Sequence, residues 1–356
     1  MKPLVYTKGM SIIKGLGDFF ALDIGTNAVR LVQLSGSGSS WSLQNYAYVP
    51  VDIKVSGSDS RESAHKLGEI ITTAIGQSGV KTKDVVIGLP SNKTFTTVVD
   101  VPISSEADLK SAMKYQVDQY IPGNIDETKV DWALLGPSLR AQNKQEVLIT
   151  SVASAYSEQR LELVEQLGYN VIAMEPDPIA MIRALVPPNN QSAILLIDMG
   201  EHSTDIAVVY NDTPRLIRSV PTGFTTFIKA TTQNLNVEEA QARQFMLRFG
   251  LAPDKLDGQV YRAVETTLNN FVAEVEKSIK FFQTRYDNVA IQQVVVASFA
   301  ATVPKLSDHL MSKVNIPVQA ASPWQGVKMS QEAQKTLTPV ANEFAVAVGL
   351  AKRGQV

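Results

Sequence analysis

The chain has 356 residues, of which 44% are hydrophobic and 19% charged, a composition typical of a globular protein with room for two domains. Lys and Arg (33) nearly balance Asp and Glu (35), so the net charge of -2 excludes nucleic-acid or acidic-membrane binding driven by bulk electrostatics. The absence of cysteine excludes disulfides and thiol nucleophiles, and with three scattered histidines we expect no zinc site.

The N-terminal stretch joins a lysine to apolar residues, as signal peptides do, but the charged residues Lys14 and Asp18 interrupt it. Because no small-x-small cleavage site follows, we expect a mature N-terminus. The apolar residues of this stretch are predicted to pack under the first sheet, and binding to a membrane surface is the alternative. They are Ile12, Ile13, Leu16, Phe19 and Phe20. No window approaches the roughly 18 consecutive apolar residues of a membrane-spanning helix.

In chain order, alternating apolar residues first predict two strands, over 21–34 and 41–51, separated by a Gly/Ser turn. Apolar residues with helical spacing follow over 64–75, and Gly79 is placed to end that helix. The apolar run at 84–90 predicts a buried strand. This β-β-α-β order is typical of a mixed sheet covered by helices.

Residues 91–155 change character and predict an inserted β-α-β-β subdomain. An alternating strand at 93–102 precedes a helix that Ser104 or Ser105 can cap. Two further strands complete the insertion, and a helix with the apolar segment that follows it returns the chain to the first domain.

The paired prolines of 186–192 give a strong linker signal, because they cannot continue a helix. After a second hairpin, three helical patterns over 223–288 predict a helical subdomain. The last of these helices has a long apolar stripe, formed by Val264, Leu268, Phe271, Val275, Ile279 and Phe282. A buried strand and a final helix follow, so we expect a first lobe over 18–190 and a second over 191–353.

One hairpin sequence, ALDIGTNAVRLVQL, recurs in outline as LLIDMGEHSTDIAVV. In each copy Asp-x-Gly breaks an apolar strand, with Asp23 and Gly25 in the first and Asp198 and Gly200 in the second. Glycine lets backbone amides crowd around an anion, and an Asp at a strand end can hold a hydrated cation. The echo predicts a duplicated fold with two phosphate-facing loops across one cleft.

The two hairpins, the linker and the closing helix resemble the actin, Hsp70 and sugar-kinase ATPase superfamily. Within it, four stretches look most like the PilM family of cytoplasmic, actin-like (FtsA-like) proteins of type IV pilus assembly: 22–35, 86–102, 115–135 and 344–353. The resemblance covers nearly the whole chain. It implies an α/β, bilobal actin-like ATPase fold with the β-α-β-β subdomain inserted in the first lobe.

The resemblance also implies that ATP with Mg binds between the lobes. The residues implied to face the phosphates are Gly25, Thr26, Asn27 and Arg30 in the first lobe and Gly200, Ser203 and Thr204 in the second. Asp23 and Asp198 would hold Mg²⁺ through water. As the alternative, each Asp is a turn former at the end of a strand.

The second phosphate loop departs from the superfamily pattern. Glu201 and His202 stand where many relatives have extra glycines. A carboxylate beside phosphates is repulsive unless it points away. We expect His202 to be an exposed loop residue with no catalytic role.

The implied base and ribose site departs in two further places. The glycine pair beside the ribose is replaced by Ala297, Ser298 and Phe299, whose side chains would fill space that a nucleotide needs. Gln241 stands at the Glu of an Ala-Glu-x-x-Lys signature, with Arg243 or Gln244 near the Lys position. Together the departures predict weak, altered or lost ATP binding.

The resemblance implies a non-catalytic adaptor at the cytoplasmic face of the inner membrane. It would dock the N-terminal cytoplasmic tail of a PilN-like inner-membrane protein, with other pilus assembly components as further partners and no membrane span of its own. The inserted subdomain is the expected surface, because its strands offer an edge and its helix a groove wall.

Two alternatives come from other functional classes. An active ATPase or kinase needs a residue positioned to activate the nucleophile beside the γ-phosphate, and the sequence offers no convincing candidate. A filament-forming FtsA-like division protein ends in a basic amphipathic membrane helix, for which the final segment GLAKRGQV is too short.

Overall fold

The computed structural model describes residues 18–353 apart from 39, 57 and 59, and only the backbone of 106 and 114–116. The described chain forms two compact units, of which one runs to Leu185 and resumes at Pro323 while the other spans Val186–Ser322. Ile12, Ile13 and Leu16, predicted to lie under the first sheet, fall outside the described residues. Phe19 and Phe20 are fully buried, as predicted.

Strands and helices are interspersed along the described chain. The strands are β1 (Phe20–Ile24), β2 (Ala28–Ser37), β3 (Ser40–Pro50), β4 (Asp84–Leu89), β5 (Thr94–Pro102), β6 (Thr128–Pro137), β7 (Lys144–Ala153), β8 (Asn170–Pro176), β9 (Ala193–Met199), β10 (Thr204–Tyr210), β11 (Thr213–Val220), β12 (Ile291–Ser298), β13 (Val318–Ala320) and β14 (Val327–Lys328). The helices are α1 (Ile53–Ser56), α2 (Arg61–Ser78), α3 (Glu106–Gln116), α4 (Ser154–Gln166), α5 (Asp177–Leu185), α6 (Phe224–Leu235), α7 (Glu239–Arg248), α8 (Gln259–Arg285), α9 (Phe299–Thr302), α10 (Leu306–Val314), α11 (Gln331–Leu337) and α12 (Ala345–Ala351).

The first unit is built on a six-stranded mixed sheet in the order β14-β3-β2-β1-β4-β8. Strands β1, β2 and β3 are antiparallel, and β4 and β8 extend the sheet in parallel. Helix α2 begins after Ser60, whose hydroxyl accepts from the amide of Ser63, and ends at Gly79 in the left-handed conformation (φ 73°). The position of Gly79 in the sequence predicted this helix end.

The C-terminal segment from Pro323 belongs to the first unit, whereas the sequence pattern predicted that the second lobe continues to residue 353. Strand β14 pairs with β3, and α12 packs against α5, β1 and β2. Helices α5 and α12 approach so closely that a Cβ at Gly349 would lie 1.8 Å from the carbonyl oxygen of Ala180. This contact explains why the last helix joins the first unit.

A buried ionic cluster reinforces the same helix crossing. Arg183 donates to Glu175 (3.0 Å) and to the carbonyl of Gly349 (2.8 Å), and Arg353 lies 3.4 Å from Glu175. Burial alone would raise the pKa of Glu175, but the two guanidinium groups outweigh it and hold that pKa below its usual value. The carboxylate therefore links β8 and α5 to α12.

The inserted subdomain is a three-stranded antiparallel sheet in the order β5-β7-β6, with α3 on one face. The hydroxyl of Ser105 caps α3 by accepting from the amide of Asp108. Sheet and helix enclose a small apolar core of their own, formed by Val101, Leu109, Met113, Val117, Ile121, Val147 and Ile149. The predicted β-α-β-β subdomain is confirmed.

The second unit holds a five-stranded sheet in the order β11-β10-β9-β12-β13 together with α6 to α10. Strands β9, β10 and β11 are antiparallel, and β12 and β13 continue in parallel with β9. The apolar stripe predicted for the long helix is buried in α8, from Val264 to Phe282. It packs with α6 and β9 into the core of this unit.

Candidate functional site

The first Asp-x-Gly turn lies between β1 and β2. Its backbone is closed by a hydrogen bond from the Gly25 amide to the Ala28 carbonyl (3.1 Å) and anchored where the Val51 amide donates to the Asn27 carbonyl (2.9 Å). The carbonyl of Thr26 accepts from the hydroxyl of Ser56 (2.6 Å). A Cβ at Gly25 would lie 2.7 Å from Nη1 of Arg30, so glycine allows that side chain to pass.

The side chains of Asp23, Arg30 and Tyr48 form a row across β1, β2 and β3, because the three residues are direct cross-strand partners. Nη1 of Arg30 lies 3.2 Å from Oδ2 of Asp23, and its guanidinium carbon lies 5.5 Å from the centre of the Tyr48 ring. Asp23 and Arg30 are each 5% exposed. The row places a buried cation beside the turn.

A second carboxylate, that of Glu343, reaches this row from the C-terminal segment. Its Oε2 accepts hydrogen bonds from Nη2 of Arg30, Nδ2 of Asn27 (2.9 Å) and the hydroxyl of Tyr48 (3.1 Å). Burial would lower the pKa of Arg30, but Asp23 and Glu343 raise it above its ordinary value, so the guanidinium stays charged. No pattern in the sequence had pointed to Glu343 or Tyr48.

The second Asp-x-Gly turn lies between β9 and β10 and has a similar backbone. The amide of Gly200 donates to the carbonyl of Ser203 (2.9 Å). The hydroxyl of Thr204 donates to the carbonyl of Thr222 (2.6 Å). Asp198 lies in β9, directly opposite Asp205 of β10 and beside β12. Like the first, this turn is held by its own backbone and by its neighbours.

Glu201, in the second turn, points at an arginine of the helical subdomain. Nη1 and Nη2 of Arg243 donate to its two carboxylate oxygens at 2.9 and 2.8 Å, and the hydroxyl of Thr225 donates at 3.1 Å. Glu201 is only 2% exposed, so this is a buried bidentate pair. His202 is exposed, as predicted, and Gln241 is also exposed.

The segment 297–299 packs beside this pair. Ala297 is buried within β12, and Phe299 stacks on Phe224 with ring centres 4.2 Å apart and planes 9° from parallel. The guanidinium carbon of Arg243 lies 5.2 Å from the Phe224 ring centre and 5.9 Å from that of Phe299. Ser298 has the unusual backbone angles φ 52° and ψ -131°. Arg243, which stands near the Lys position of the Ala-Glu-x-x-Lys signature, is thus a residue of that region whose side chain reaches the second turn.

Both turns therefore carry a buried carboxylate that is paired with an internal arginine. Of the predicted Mg²⁺ ligands, Asp23 already faces the guanidinium of Arg30, with which a bound metal ion would compete. Across the described residues, no group of three or more His, Cys, Asp or Glu side chains is arranged to hold a metal ion. In the same part of the chain, no helix has the length and apolar character needed to cross a membrane.

Solved structures resemble this chain over most of its length. A structure described as a PilM-PilN type IV pilus biogenesis complex superposes with a TM-score of 0.81 at 20% identity, covering 96% of this chain and 100% of that chain. MamK in a double helical filament gives 0.55 at 12% identity over 94% and 98%. The ethanolamine utilization protein EutJ from Carboxydothermus hydrogenoformans gives 0.52 at 15% identity over 94% and 88%. These similarities confirm the predicted actin-like fold.

A family model also matches the sequence. The model, described as type IV pilus assembly protein PilM, matches residues 21–355. The matched range contains both Asp-x-Gly turns, the inserted subdomain and the C-terminal segment, so the family predicted from the motifs is confirmed. The chain belongs to the type IV pilus assembly protein PilM family.

Proposed function

We propose that the protein is an actin-like adaptor of type IV pilus assembly. It docks the N-terminal cytoplasmic tail of a PilN-like inner-membrane protein on its inserted subdomain and is held at the inner face of the membrane by that partner. The family membership and the similarity to a structure described as a PilM-PilN complex support this proposal.

The observation that carries the proposal is the distribution of exposed apolar side chains. Nine large hydrophobic residues are exposed among the described residues, and five of them belong to the inserted subdomain: Phe95, Ile103, Ile125, Leu134 and Leu139. Exposed apolar residues concentrated in one part of a surface mark an interaction site. The small core of the subdomain does not contain these residues, so contact with a partner explains their apolar character better than packing within the subdomain does.

Strand β5 is the more suitable of the two edge strands. All nine residues of Thr94–Pro102 pair with β7 in one unbroken register, and among the described strands β5 has no other neighbour. The opposite edge strand, β6, has a register shift between Leu134 and Gly136, and Lys129 near its start pairs with Glu158 (3.2 Å). A regular edge is a template for an added strand, whereas a bulged edge is not.

A tail added to β5 would gain main-chain hydrogen bonds and place alternate side chains against the flank of α3. Phe95 lies on that face, because an even number of positions separates it from Val99 and Val101, which pack in the core under the helix. Leu134 projects from the same face at the opposite edge, since it pairs with Val147. The two residues, 36% and 41% exposed, form a matched pair for a test.

The test measures binding of a synthetic tail peptide from the PilN-like partner by calorimetry. Phe95→Asp should weaken binding about tenfold or more, because it puts a charge beside the added strand. Leu134→Asp makes the same change at the other edge, so it should weaken binding far less than Phe95→Asp does. Binding lost only in Leu134→Asp, or unchanged in both folded variants, would contradict docking at β5.

The proposal includes weak nucleotide binding, for which the second turn gives the support. The Glu201–Arg243 pair and the stacked rings of Phe224 and Phe299 fill the space beside the turn. We expect ATP with Mg to bind with a Kd above ~10 µM. Calorimetry that gives tight binding, lost in Asp23→Ala, would contradict this part while leaving peptide docking intact.

A further inference from the structure

The outer strand of the second sheet has an open edge. Strand β11 pairs with β10 on one side, and among the described strands it has no neighbour on the other. The strand in the same place beside the first hairpin, β3, is joined by β14 at Trp41 and Ser42. An unpaired edge offers backbone donors and acceptors to an extended segment of another chain. The second sheet can therefore take a further strand at the position where β14 extends the first.

The open edge is regular where it is most exposed. From Leu216 to Val220 each residue of β11 pairs with β10 in one register, and the register shift lies before this stretch. Leu216–Ser219 are half-buried, whereas Arg215 and Val220 on either side are buried. A regular edge is a better template for an added strand than a bulged one. The positions available for pairing are therefore 216–219.

Helix α8 forms a wall beside this edge. Arg218 of β11 donates hydrogen bonds to the side chains of Ser278 (3.3 Å) and Glu274 (2.7 Å). Phe281 and Arg285 continue the same side of the helix, because successive members of the set are four, three and four positions apart. We call Glu274, Ser278, Phe281 and Arg285 the outer row of α8. A strand added to β11 would lie beside Arg218 and this outer row.

The wall combines an exposed apolar side chain with positive charge. Phe281 is 55% exposed. Glu274 is shared by Arg218 and Lys277, whose Nζ lies 2.5 Å from it, so two cations face one carboxylate. Lys280, directly before Phe281, is exposed and adds a further positive charge. An exposed aromatic ring among cations is complementary to a partner that has apolar and acidic side chains.

We propose that an extended, acidic segment of another protein adds to the open edge of β11 as a further strand. One of its carboxylates lies opposite Arg218, since opposite charges on neighbouring strands attract, and an apolar side chain two positions away packs on Phe281. Residues two apart on a strand lie about 6.8 Å apart on one face, close to the helix pitch of about 5.4 Å that separates the levels of Ser278 and Phe281. The site belongs to the second unit, so it does not depend on docking at the inserted subdomain.

The test selects peptides that bind the full chain from a library of random nonapeptides and measures their affinities by fluorescence anisotropy. We expect enrichment of sequences in which one position separates an acidic from an apolar residue. Phe281→Asp should weaken the binding of these peptides about tenfold or more. Leu247→Asp makes the same change at an exposed apolar residue of α7 and should leave the affinity unaltered. Phe95→Asp should also leave it unaltered, which separates this site from docking at β5.

Hydrogen exchange locates the bound peptide. A selected peptide should slow amide exchange over 216–219 and leave exchange over 94–102 unchanged. Lys280→Glu reverses a charge at an exposed position, should weaken the binding of acidic peptides, and covers the case that Phe281→Asp does not fold.

Three results would overturn the proposal. The first is a library with no enrichment of acidic and apolar pairs. The second is equal binding by the folded variants Phe281→Asp and Leu247→Asp, or protection from exchange only outside 216–219. The third is self-association in sedimentation without peptide that Phe281→Asp abolishes, which would assign the edge to a second copy of this chain.

Discussion

The backbone of Ser298, at the junction of β12 and α9, is strained. Its angles of φ 52° and ψ -131° lie in a region that glycine adopts freely and other residues rarely do. Such a conformation costs about 1–3 kcal/mol. Ser298→Gly removes that cost but gives the unfolded chain more conformational freedom, worth roughly 0.5–1 kcal/mol. With the midpoints of the two ranges, the expected net effect is a stabilisation of about 1 kcal/mol.

Scanning calorimetry of the full chain measures this effect. Each kcal/mol gained should raise the unfolding temperature by about 2–4 °C for a unit of this size. Ala297→Gly is the control, because Ala297 lies in β12 with ordinary strand pairing and its methyl group is buried, so glycine should lower the unfolding temperature there. An unfolding temperature for Ser298→Gly at or below that of the unmodified protein would refute the strain argument.

Two further substitutions test the first unit. In urea unfolding, Gly349→Ala should destabilise the first unit by about 3 kcal/mol, because the new methyl group meets the backbone of Ala180. Gly76→Ala is the control: its Cβ would meet no atom, so alanine should stabilise helix α2. Equal effects of the two substitutions would contradict close packing at Gly349. Glu175→Gln should cost about 3–5 kcal/mol at neutral pH. The pKa of Glu175 is lowered in the folded state, so the stabilisation by its carboxylate is present above the unfolded pKa of about 4.3 and is lost as pH falls further. Glu175→Gln should therefore lose less stability on acidification than the unmodified protein. A parallel pH dependence of the two free energies of unfolding would contradict this role of Glu175.

The elements that were predictable from the sequence are those defined by short-range patterns. Gly79 ends α2 and Ser105 caps α3 because these residues act on backbone within one turn of themselves. The alternation of β5 and the spacing of the apolar residues of α8 likewise depend on neighbours a few positions away. The Asp-x-Gly turns belong to the same class, since each glycine serves its own hairpin.

The groups around those turns were not predictable, since they come from distant parts of the chain. Glu343 lies 313 positions from Arg30 and comes from an irregular segment with no periodicity to mark it. Glu201 was recognised as a charge unsuited to a phosphate loop, but its partner Arg243 lies 42 positions away on another helix. The assignment of the last segment to the first unit depends on a two-residue strand and a close helix contact, and neither has a local sequence signal.

The two units also differ in how the chain supplies them, which has a consequence for the order of folding. Val186–Ser322 is one uninterrupted stretch, whereas the first unit needs residues from both sides of it, including the contact between Asn27 and Glu343 across 316 positions. During synthesis the second unit therefore has all its residues while the first still lacks α12, and domains with complete sequences fold as they emerge. Until α12 is made, the surface of α5 that contacts Gly349 stays uncovered, so we expect the first unit to complete its core later than the second.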